Sequence, residues 1–125
     1  MAPVLRDVDR REEGRVRVGI DNVQIARMAT LGEGFPRRYL SARELAEYEA
    51  RAPQRRDEYL AGRFAAKEAY IKASGRTGLE YRRIEVLNDP DGAPRLYVDG
   101  VRTGQVSLTH DGIATAIVLL EDERK

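Results

Sequence analysis

The sequence predicts an α+β fold in which helices pack on an antiparallel sheet. An alanine-rich segment from Tyr59 to Gly75 contains no proline and is typical of a helix. Before it, strict alternation from Val16 to Ile20 indicates a strand, and after it come two strand pairs, each joined by turn residues. A helix-rich half followed by hairpins favours helices grouped on one face of a sheet.

The length and composition indicate a single domain. The chain has 125 residues, with 42% hydrophobic and 34% charged residues, which is enough apolar material for one core. We expect one domain over residues 16–125. Residues 1–15 carry mixed charge and little to bury, so we expect them to form a disordered or frayed tail.

Several classes of site and location are excluded by composition. The chain has no cysteine and one histidine, so a disulfide framework, a thiolate zinc site and a multi-histidine centre are excluded. A bound metal would need oxygen ligands, which favours magnesium, manganese or calcium. No apolar run is long enough for a membrane span, and the N-terminus lacks the apolar core of a signal peptide. We therefore expect a cytoplasmic protein without membrane contact.

The first strand ends on an acidic residue. The alternation places Val16, Val18 and Ile20 on one face, and we expect Asp21 to close the strand on the other face. A segment with helical period begins directly afterwards. Asp21 is then either the N-cap of that helix or a functional carboxylate at a strand-to-helix junction.

The middle of the chain is helical and rich in arginine. The pair Ser41 and Glu44 predicts a capping box, and the helix it starts should end at Pro53. Many arginines lie between Arg37 and Arg56. They form either a solvated face or a surface for an acidic partner. A nucleic-acid site is a weaker alternative, because acidic residues are interspersed and aromatic platforms are not.

The long helix carries a carboxylate in an unusual place. Spacing at 100° per residue puts Glu68 between an apolar stripe and a face of small residues, where we expect tight packing and little water. A buried carboxylate needs a cation, a hydrogen-bond network or a metal. Lys72 follows at i+4, so an ion pair with Glu68 is the simplest explanation. Gly75 is expected to cap the helix in the left-handed conformation.

The C-terminal part predicts two hairpins. The segments 82–87 and 94–99 flank a turn rich in Asp, Pro and Gly, and the segments 105–110 and 113–120 flank Asp111 and Gly112. His110 therefore lies at a strand end beside a tight turn. Such a histidine serves either as a structural hydrogen-bond partner or in chemistry.

Three motifs together resemble the holo-acyl-carrier-protein synthases, the small 4′-phosphopantetheinyl transferases. They are Gly19-Ile-Asp21, then the run Leu60-Ala-Gly-Arg-Phe-Ala-Ala-Lys-Glu-Ala69 with Lys72, then Val106-Ser-Leu-Thr-His110. The likeness extends from Val16 to about Glu121. The helix run is highly specific, whereas the strand and the histidine turn are less so.

The resemblance implies a magnesium-dependent transfer of the 4′-phosphopantetheine group of coenzyme A to a serine of an apo acyl carrier protein. The product released would be adenosine 3′,5′-bisphosphate. Asp21 and Glu68 match the family's two metal-binding carboxylates, and with His110 they form the expected catalytic set. The proton acceptor stays open between a metal-bound water, a carboxylate acting through water, and His110.

The same residue-by-residue match implies two binding surfaces and an assembly. The residues expected around coenzyme A are Arg63, Lys67, Lys72, Gly75 and His110. Those expected to meet the acidic carrier are Arg27, Arg37 and Arg38. Family members of this size are commonly trimers that bind the coenzyme between subunits, so the resemblance implies a homotrimer for this chain as well.

This chain also departs from the family pattern. Val23 stands where the larger two-lobed transferases have a third acidic ligand, and the segment after Gly75 is shorter than the usual glycine-rich loop. The alternative function is a non-catalytic module that binds a carrier protein with the same fold. The sequence does not distinguish carriers of fatty acid, polyketide or peptide synthesis.

Overall fold

The computed structural model describes residues 15–121, so the predicted tail lies outside the described residues except for Arg15. The helices are α1 (Phe35–Tyr39), α2 (Ala42–Ala50) and α3 (Arg56–Ser74). Short 3₁₀ helices cover Ile25–Thr30, Pro53–Arg55 and Tyr81–Arg83. The strands are β1 (Val16–Gln24), β2 (Ile84–Asn88), β3 (Pro94–Val98), β4 (Val101–Arg102), β5 (Gln105–His110) and β6 (Ile113–Glu121).

The strands form two antiparallel sheets of three strands each. One has the order β1-β6-β5 and the other β2-β3-β4. In the first sheet Val16 is opposite Glu121 and Gln24 is opposite Ile113, so β1 pairs with β6 along its whole length. The predicted α+β class and both hairpins are confirmed, although the strands divide between two sheets.

Helix α3 is the centre of the core. Its small residues Ala61, Ala65, Ala66 and Ala69 are completely buried. These side chains let the helix lie very close to β1: a Cβ added to Gly19 would stand 1.9 Å from the carbonyl oxygen of Ala69. A side chain at that position would therefore force the helix and the strand apart.

The opposite face of the β1-β6-β5 sheet is apolar and exposed. Val16, Val18 and Ile20 share one face as predicted, and each is more than half exposed. Leu119 and Ile113 of β6 extend this face. We call these five residues the outer sheet face. Exposed contiguous apolar surface of this kind marks an interaction site.

The helix signals in the sequence are confirmed. Ser41 and Glu44 form both hydrogen bonds of the capping box at the start of α2. Gly75 caps α3 in the left-handed conformation with φ of 74°. Helix α3 begins at Arg56, just after a 3₁₀ turn that starts at Pro53.

The expected end of the first strand is wrong. Strand β1 continues past Asp21 to Gln24, because β6 provides paired partners for Asn22 and Val23 as well. Asp21 lies within the strand opposite Ala116, and the cap position of the following 3₁₀ helix is Gln24. The N-cap interpretation of Asp21 is therefore wrong too.

In the described part of the chain, no helix combines the length and the apolar character that crossing a bilayer requires.

Candidate active site

Asp21 points from β1 toward α3, where Lys72 holds it. The Lys72 Nζ lies 3.1 Å from Asp21 Oδ1 and also donates to the Ile20 carbonyl oxygen at 3.1 Å. The Asp21 side chain is 19% exposed and that of Lys72 is 57% exposed. The predicted ion pair between Lys72 and Glu68 is wrong, since the strand supplies the lysine with a different carboxylate.

Glu68 is oriented by an aromatic residue. The Tyr81 hydroxyl donates a hydrogen bond of 2.8 Å to Glu68 Oε2. This hydrogen bond raises the pKa of Tyr81, with smaller contributions from burial and from the Glu68 charge. Glu68 is only half-buried, so the expectation that water is scarce there is wrong. Its hydrogen bond with Tyr81 lies at the surface of the molecule.

The hydroxyl of Tyr39 lies in the field of both carboxylates. Burial raises the pKa of Tyr39 well above its usual range, and the charges of Glu68 and Asp21 raise it further. Among the described side chains, the Tyr39 hydroxyl is the buried polar atom that lacks a hydrogen-bond partner. Asp21 meets α3 at Lys72, one helical turn beyond Glu68, and the Tyr81 partner of Glu68 packs on the ring of Tyr39.

The donor chemistry of Asp21 and Glu68 suits a divalent ion bound through oxygen. Hydrogen bonds within residues 15–121 engage one oxygen of Asp21 and one of Glu68, which leaves Oδ2 and Oε1 available. The same residues include no cluster of three or more acidic, histidine or cysteine side chains that could hold a metal. Two carboxylates with water and substrate phosphate is an ordinary ligand set for Mg²⁺.

Lys67 is not available to a phosphate, so that expectation is wrong. Its side chain is completely buried, and Nζ lies 2.6 Å from Glu44 Oε1. It also donates to the carbonyl oxygens of Tyr39 at 3.2 Å and Tyr81 at 3.0 Å. Burial lowers the pKa of Lys67, and the Glu44 carboxylate opposes this shift. With three acceptors for its three protons, Lys67 is a structural residue.

A cleft of about 370 Å³ opens at the N-terminal half of α3. Its ionisable lining consists of Arg51, Arg55, Glu58, Arg63 and His110. The His110 Nδ1 lies 2.8 Å from Glu58 Oε2, so the predicted turn histidine has a carboxylate partner from the first turn of α3. Three arginines against one glutamate favour an anionic ligand.

Arg63 is held rigidly at the base of this cleft. Its Nε donates to the Val86 carbonyl oxygen at 2.9 Å, and Nη2 donates to Glu47 and Asn88. The guanidinium also lies 4.0 Å from the ring centroid of Tyr59. Nη1 has no partner among these contacts. Arg63 can therefore present this nitrogen to an anion in a fixed orientation.

The predicted carrier-binding arginines lie on an exposed surface. Arg27 lies on the first 3₁₀ helix, with its guanidinium 5.7 Å from the centroid of the Phe64 ring. Arg37 and Arg38 are on α1 and line a second hollow together with Arg82. Arg38 also lines a hollow with Phe64 and Tyr81, so Arg27 and Arg38 both lie beside Phe64, which precedes Glu68 by one helical turn. Gly75 lies at the exposed C-terminus of α3.

Sequence reasoning missed three partners in this site: Glu44, Glu58 and Tyr81. Glu44 had a complete explanation as a capping-box residue, and nothing in the sequence indicates its second contact with Lys67. Glu58 precedes Arg63 on the helix, but its pairing with His110 spans 52 positions and depends on the tertiary fold. The sequence contains only a weak indication of a role for Tyr81, because an aromatic residue before a strand can have many structural roles.

Comparisons with known proteins show the family of the chain. Residues 17–118 match the family described as the 4′-phosphopantetheinyl transferase superfamily. The chain belongs to this superfamily. It is 42% identical over 116 residues to the holo-[acyl-carrier-protein] synthase of Geobacillus kaustophilus, which covers 85% of this chain and 88% of the relative. The corresponding protein of Staphylococcus carnosus is 42% identical over 113 residues, with 83% and 95% coverage.

Solved structures of synthases have the same fold. The holo-(acyl-carrier-protein) synthase of Bacillus anthracis in complex with CoA (3′,5′-ADP) superimposes with a TM-score of 0.77 at 34% identity, over 86% of this chain and 96% of that chain. A synthase–CoA complex from Chronobacterium ammoniagenes gives 0.72 at 30% identity, over 88% and 99%. The chain is therefore an enzyme of the holo-acyl-carrier-protein synthase type, a 4′-phosphopantetheinyl transferase.

Proposed function

We propose that this synthase transfers 4′-phosphopantetheine from coenzyme A to a serine of an apo acyl carrier protein. The serine oxygen forms a bond to the phosphorus that bears the pantetheine arm, and the bond from that phosphorus to the bridging pyrophosphate oxygen breaks. Adenosine 3′,5′-bisphosphate leaves with the bridging oxygen, and the serine proton is released. Negative charge gathers on phosphate oxygens, so positioning and electrostatic stabilisation are the main requirements.

The observation that carries this proposal is the pair of half-buried carboxylates with free oxygens, Asp21 Oδ2 and Glu68 Oε1. In the proposed reaction these two residues hold Mg²⁺, which when bound neutralises charge on the phosphates. Lys72 orients Asp21, and its exposed ammonium group adds positive charge at the same place.

The arginine-lined cleft is the proposed site for the nucleotide part of coenzyme A. Arg63 offers Nη1 from a fixed position, and His110 is oriented by Glu58. The relatives from B. anthracis and C. ammoniagenes that share this fold are complexes with CoA. Lys72 and Gly75 complete the proposed set near the pyrophosphate, and Lys67 is no longer part of it.

The exposed arginines Arg27, Arg37 and Arg38 are the proposed contacts for the carrier protein. Arg27 and Arg38 lie beside Phe64, one turn from Glu68, and Arg37 shares a hollow with Arg38. Acyl carrier proteins are the substrates that the relatives' names specify. Positive charge at this surface would speed and orient the encounter with an acidic partner more than it would tighten the complex.

A homotrimer is the proposed assembly. The outer sheet face, Val16, Val18, Ile20, Ile113 and Leu119, is apolar and uncovered in a single chain. Association through this face would remove the exposed apolar surface from water. Light scattering after gel filtration should give three times the mass of one chain, and a Val18→Glu variant should give a smaller species.

Mass spectrometry tests the transfer directly. An apo acyl carrier protein incubated with the enzyme, coenzyme A and Mg²⁺ should gain one phosphopantetheine unit, and adenosine 3′,5′-bisphosphate should appear in equal amount. Replacing Mg²⁺ with excess chelator should stop both. A panel of apo carriers from fatty acid, polyketide and peptide synthesis identifies the preferred partner.

The control variant is Arg102→Ala, at an exposed position on β4, an edge strand of the sheet that does not contain Asp21. It should transfer as well as the natural chain. If no carrier gains mass although it binds the enzyme, the transfer proposal is wrong, and the chain is a carrier-binding module with the same fold.

A further inference from the structure

The hydrogen bond from Tyr81 to Glu68 has no part in the transfer chemistry described so far. Tyr81 begins the 3₁₀ helix before β2, and its side chain is 37% exposed. Its hydroxyl meets Glu68 Oε2 at 2.8 Å, which is a good length for a hydroxyl donating to a carboxylate. We propose that Tyr81 is a positioning residue that sets the orientation of the Glu68 carboxylate for the divalent ion. This inference rests on the proposed function.

The position of Tyr81 is fixed by the buried lysine. Lys67 Nζ donates to the Tyr81 carbonyl oxygen at 3.0 Å and to the Tyr39 carbonyl oxygen at 3.2 Å. The two rings pack with centroids 4.7 Å apart. One completely buried ammonium group thus holds the backbone of both tyrosines, and ring packing restricts the side chain. The Tyr81 hydroxyl therefore reaches Glu68 from a side chain whose position is restricted.

A hydrogen bond at Oε2 restricts the carboxylate. A glutamate side chain has several rotatable bonds, and an exposed one loses conformational entropy when it binds an ion. With Oε2 held by Tyr81, Oε1 is directed away from that contact and stays available. Lys72 holds Asp21 Oδ1 in the same way on the other side of the site.

Lys72 and Tyr81, the hydrogen-bond donors to the two carboxylates, differ in charge. Lys72 brings a positive charge close to Asp21, which opposes a cation to some degree. Tyr81 is a neutral donor, so it orients Glu68 without electrostatic competition. Outer partners of this kind change metal affinity by about 10–100-fold when they are removed. Because Glu68 is partly exposed, we expect the lower end of this range.

Tyr81→Phe removes the hydroxyl and keeps the ring packing. Tyr70→Phe is the matched control, because Tyr70 lies on α3 near Glu68 in sequence and its hydroxyl is bonded to Arg76 instead. Mn²⁺ binding to the complete chain with coenzyme A present is measured by electron paramagnetic resonance. We expect about tenfold weaker Mn²⁺ binding for Tyr81→Phe, and binding unchanged for Tyr70→Phe.

Kinetics distinguish positioning from simple stabilisation. The Mg²⁺ concentration for half-maximal transfer should rise about tenfold in Tyr81→Phe, while KM for the carrier protein at saturating Mg²⁺ stays the same. Equal Mn²⁺ affinity in Tyr81→Phe and the natural chain would overturn this inference and leave the proposed function intact. If the natural chain binds Mn²⁺ no better than Glu68→Gln, the magnesium site itself is wrong, and the inference is overturned with it.

Discussion

Two neighbouring residues on α3, Lys67 and Glu68, belong to opposite environments. Lys67 is completely buried, pairs with Glu44 and has three acceptors for its three protons. Glu68 is half-buried, receives one hydrogen bond and keeps one oxygen free. Both belong to the sequence run that carries the family resemblance. This segment of α3 therefore has two faces. One face packs in the core, and the other carries Glu68 of the proposed metal site.

The comparison shows how to separate structural from functional charge. A buried charge must be paired, and one with all its hydrogen bonds satisfied has nothing left for a ligand. A partly exposed charge with unused oxygens can bind one. The same rule separates the two lysines of α3, since Lys72 is more than half exposed and Lys67 is not exposed at all.

The largest expected effect is a loss of stability when the buried Lys67 is replaced. Lys67→Met leaves the Glu44 carboxylate buried without its cation, so the free energy of unfolding should fall by about 3–5 kcal/mol. Urea denaturation followed by circular dichroism measures it. The same substitution at Lys72 is the matched control and should change stability by less than about 1 kcal/mol. Equal losses in the two variants would contradict the division between the two sides of α3.

The next effect tests the exposed side. Glu68→Gln keeps the shape of the side chain and removes its charge, so the transfer rate should fall by about 100-fold or more. The free energy of unfolding should stay within about 1 kcal/mol of the natural chain, because Glu68 is partly exposed. Mass spectrometry of the carrier gives the rate. Transfer at the natural rate would show that Glu68 has no part in the reaction.

An intermediate effect is expected at Lys72. In Lys72→Met, Asp21 loses its hydrogen bond and the site loses one positive charge, so transfer should fall by about tenfold. The fall should appear in turnover and in KM for coenzyme A. A normal rate in this variant would mean that the Lys72–Asp21 contact belongs to the structural side of the comparison.

The smallest effect is expected at the surface. Replacing Arg37 and Arg38 together with alanine should lower kcat/KM for the carrier a few-fold at low salt, and the difference should shrink as salt screens the charges. KM for coenzyme A should not change. A loss that does not depend on ionic strength would contradict an electrostatic role for these two residues.

Much of the fold follows from local signals in the sequence. The capping box of Ser41 and Glu44, the left-handed Gly75 and both hairpins are encoded within a few residues, and each is found where it was predicted. The predicted end of β1 was wrong, because pairing with β6 keeps residues 22–24 in the strand although their sequence has a helical period.

The site was predictable in its residue types and less so in its pairings. The resemblance indicated Asp21, Glu68, Arg63 and His110. The structure places Asp21 on Lys72, one helical turn from Glu68, and places Arg63 and His110 in the lining of one cleft. The partner of each charge was not predictable, since Lys72 meets a residue 51 positions away instead of one turn away. Contacts of that kind depend on how close α3 lies to β1.

A double-mutant cycle of Mn²⁺ binding tests the central claim, that Asp21 and Glu68 share one divalent ion. Asp21→Asn, Glu68→Gln and the double variant are titrated with Mn²⁺ in the presence of coenzyme A. Each single variant should lose most of the affinity, and the double variant should lose little more, because residues that act on one ion are not additive. Independent, additive losses, or unchanged affinity in either single variant, would contradict the shared site.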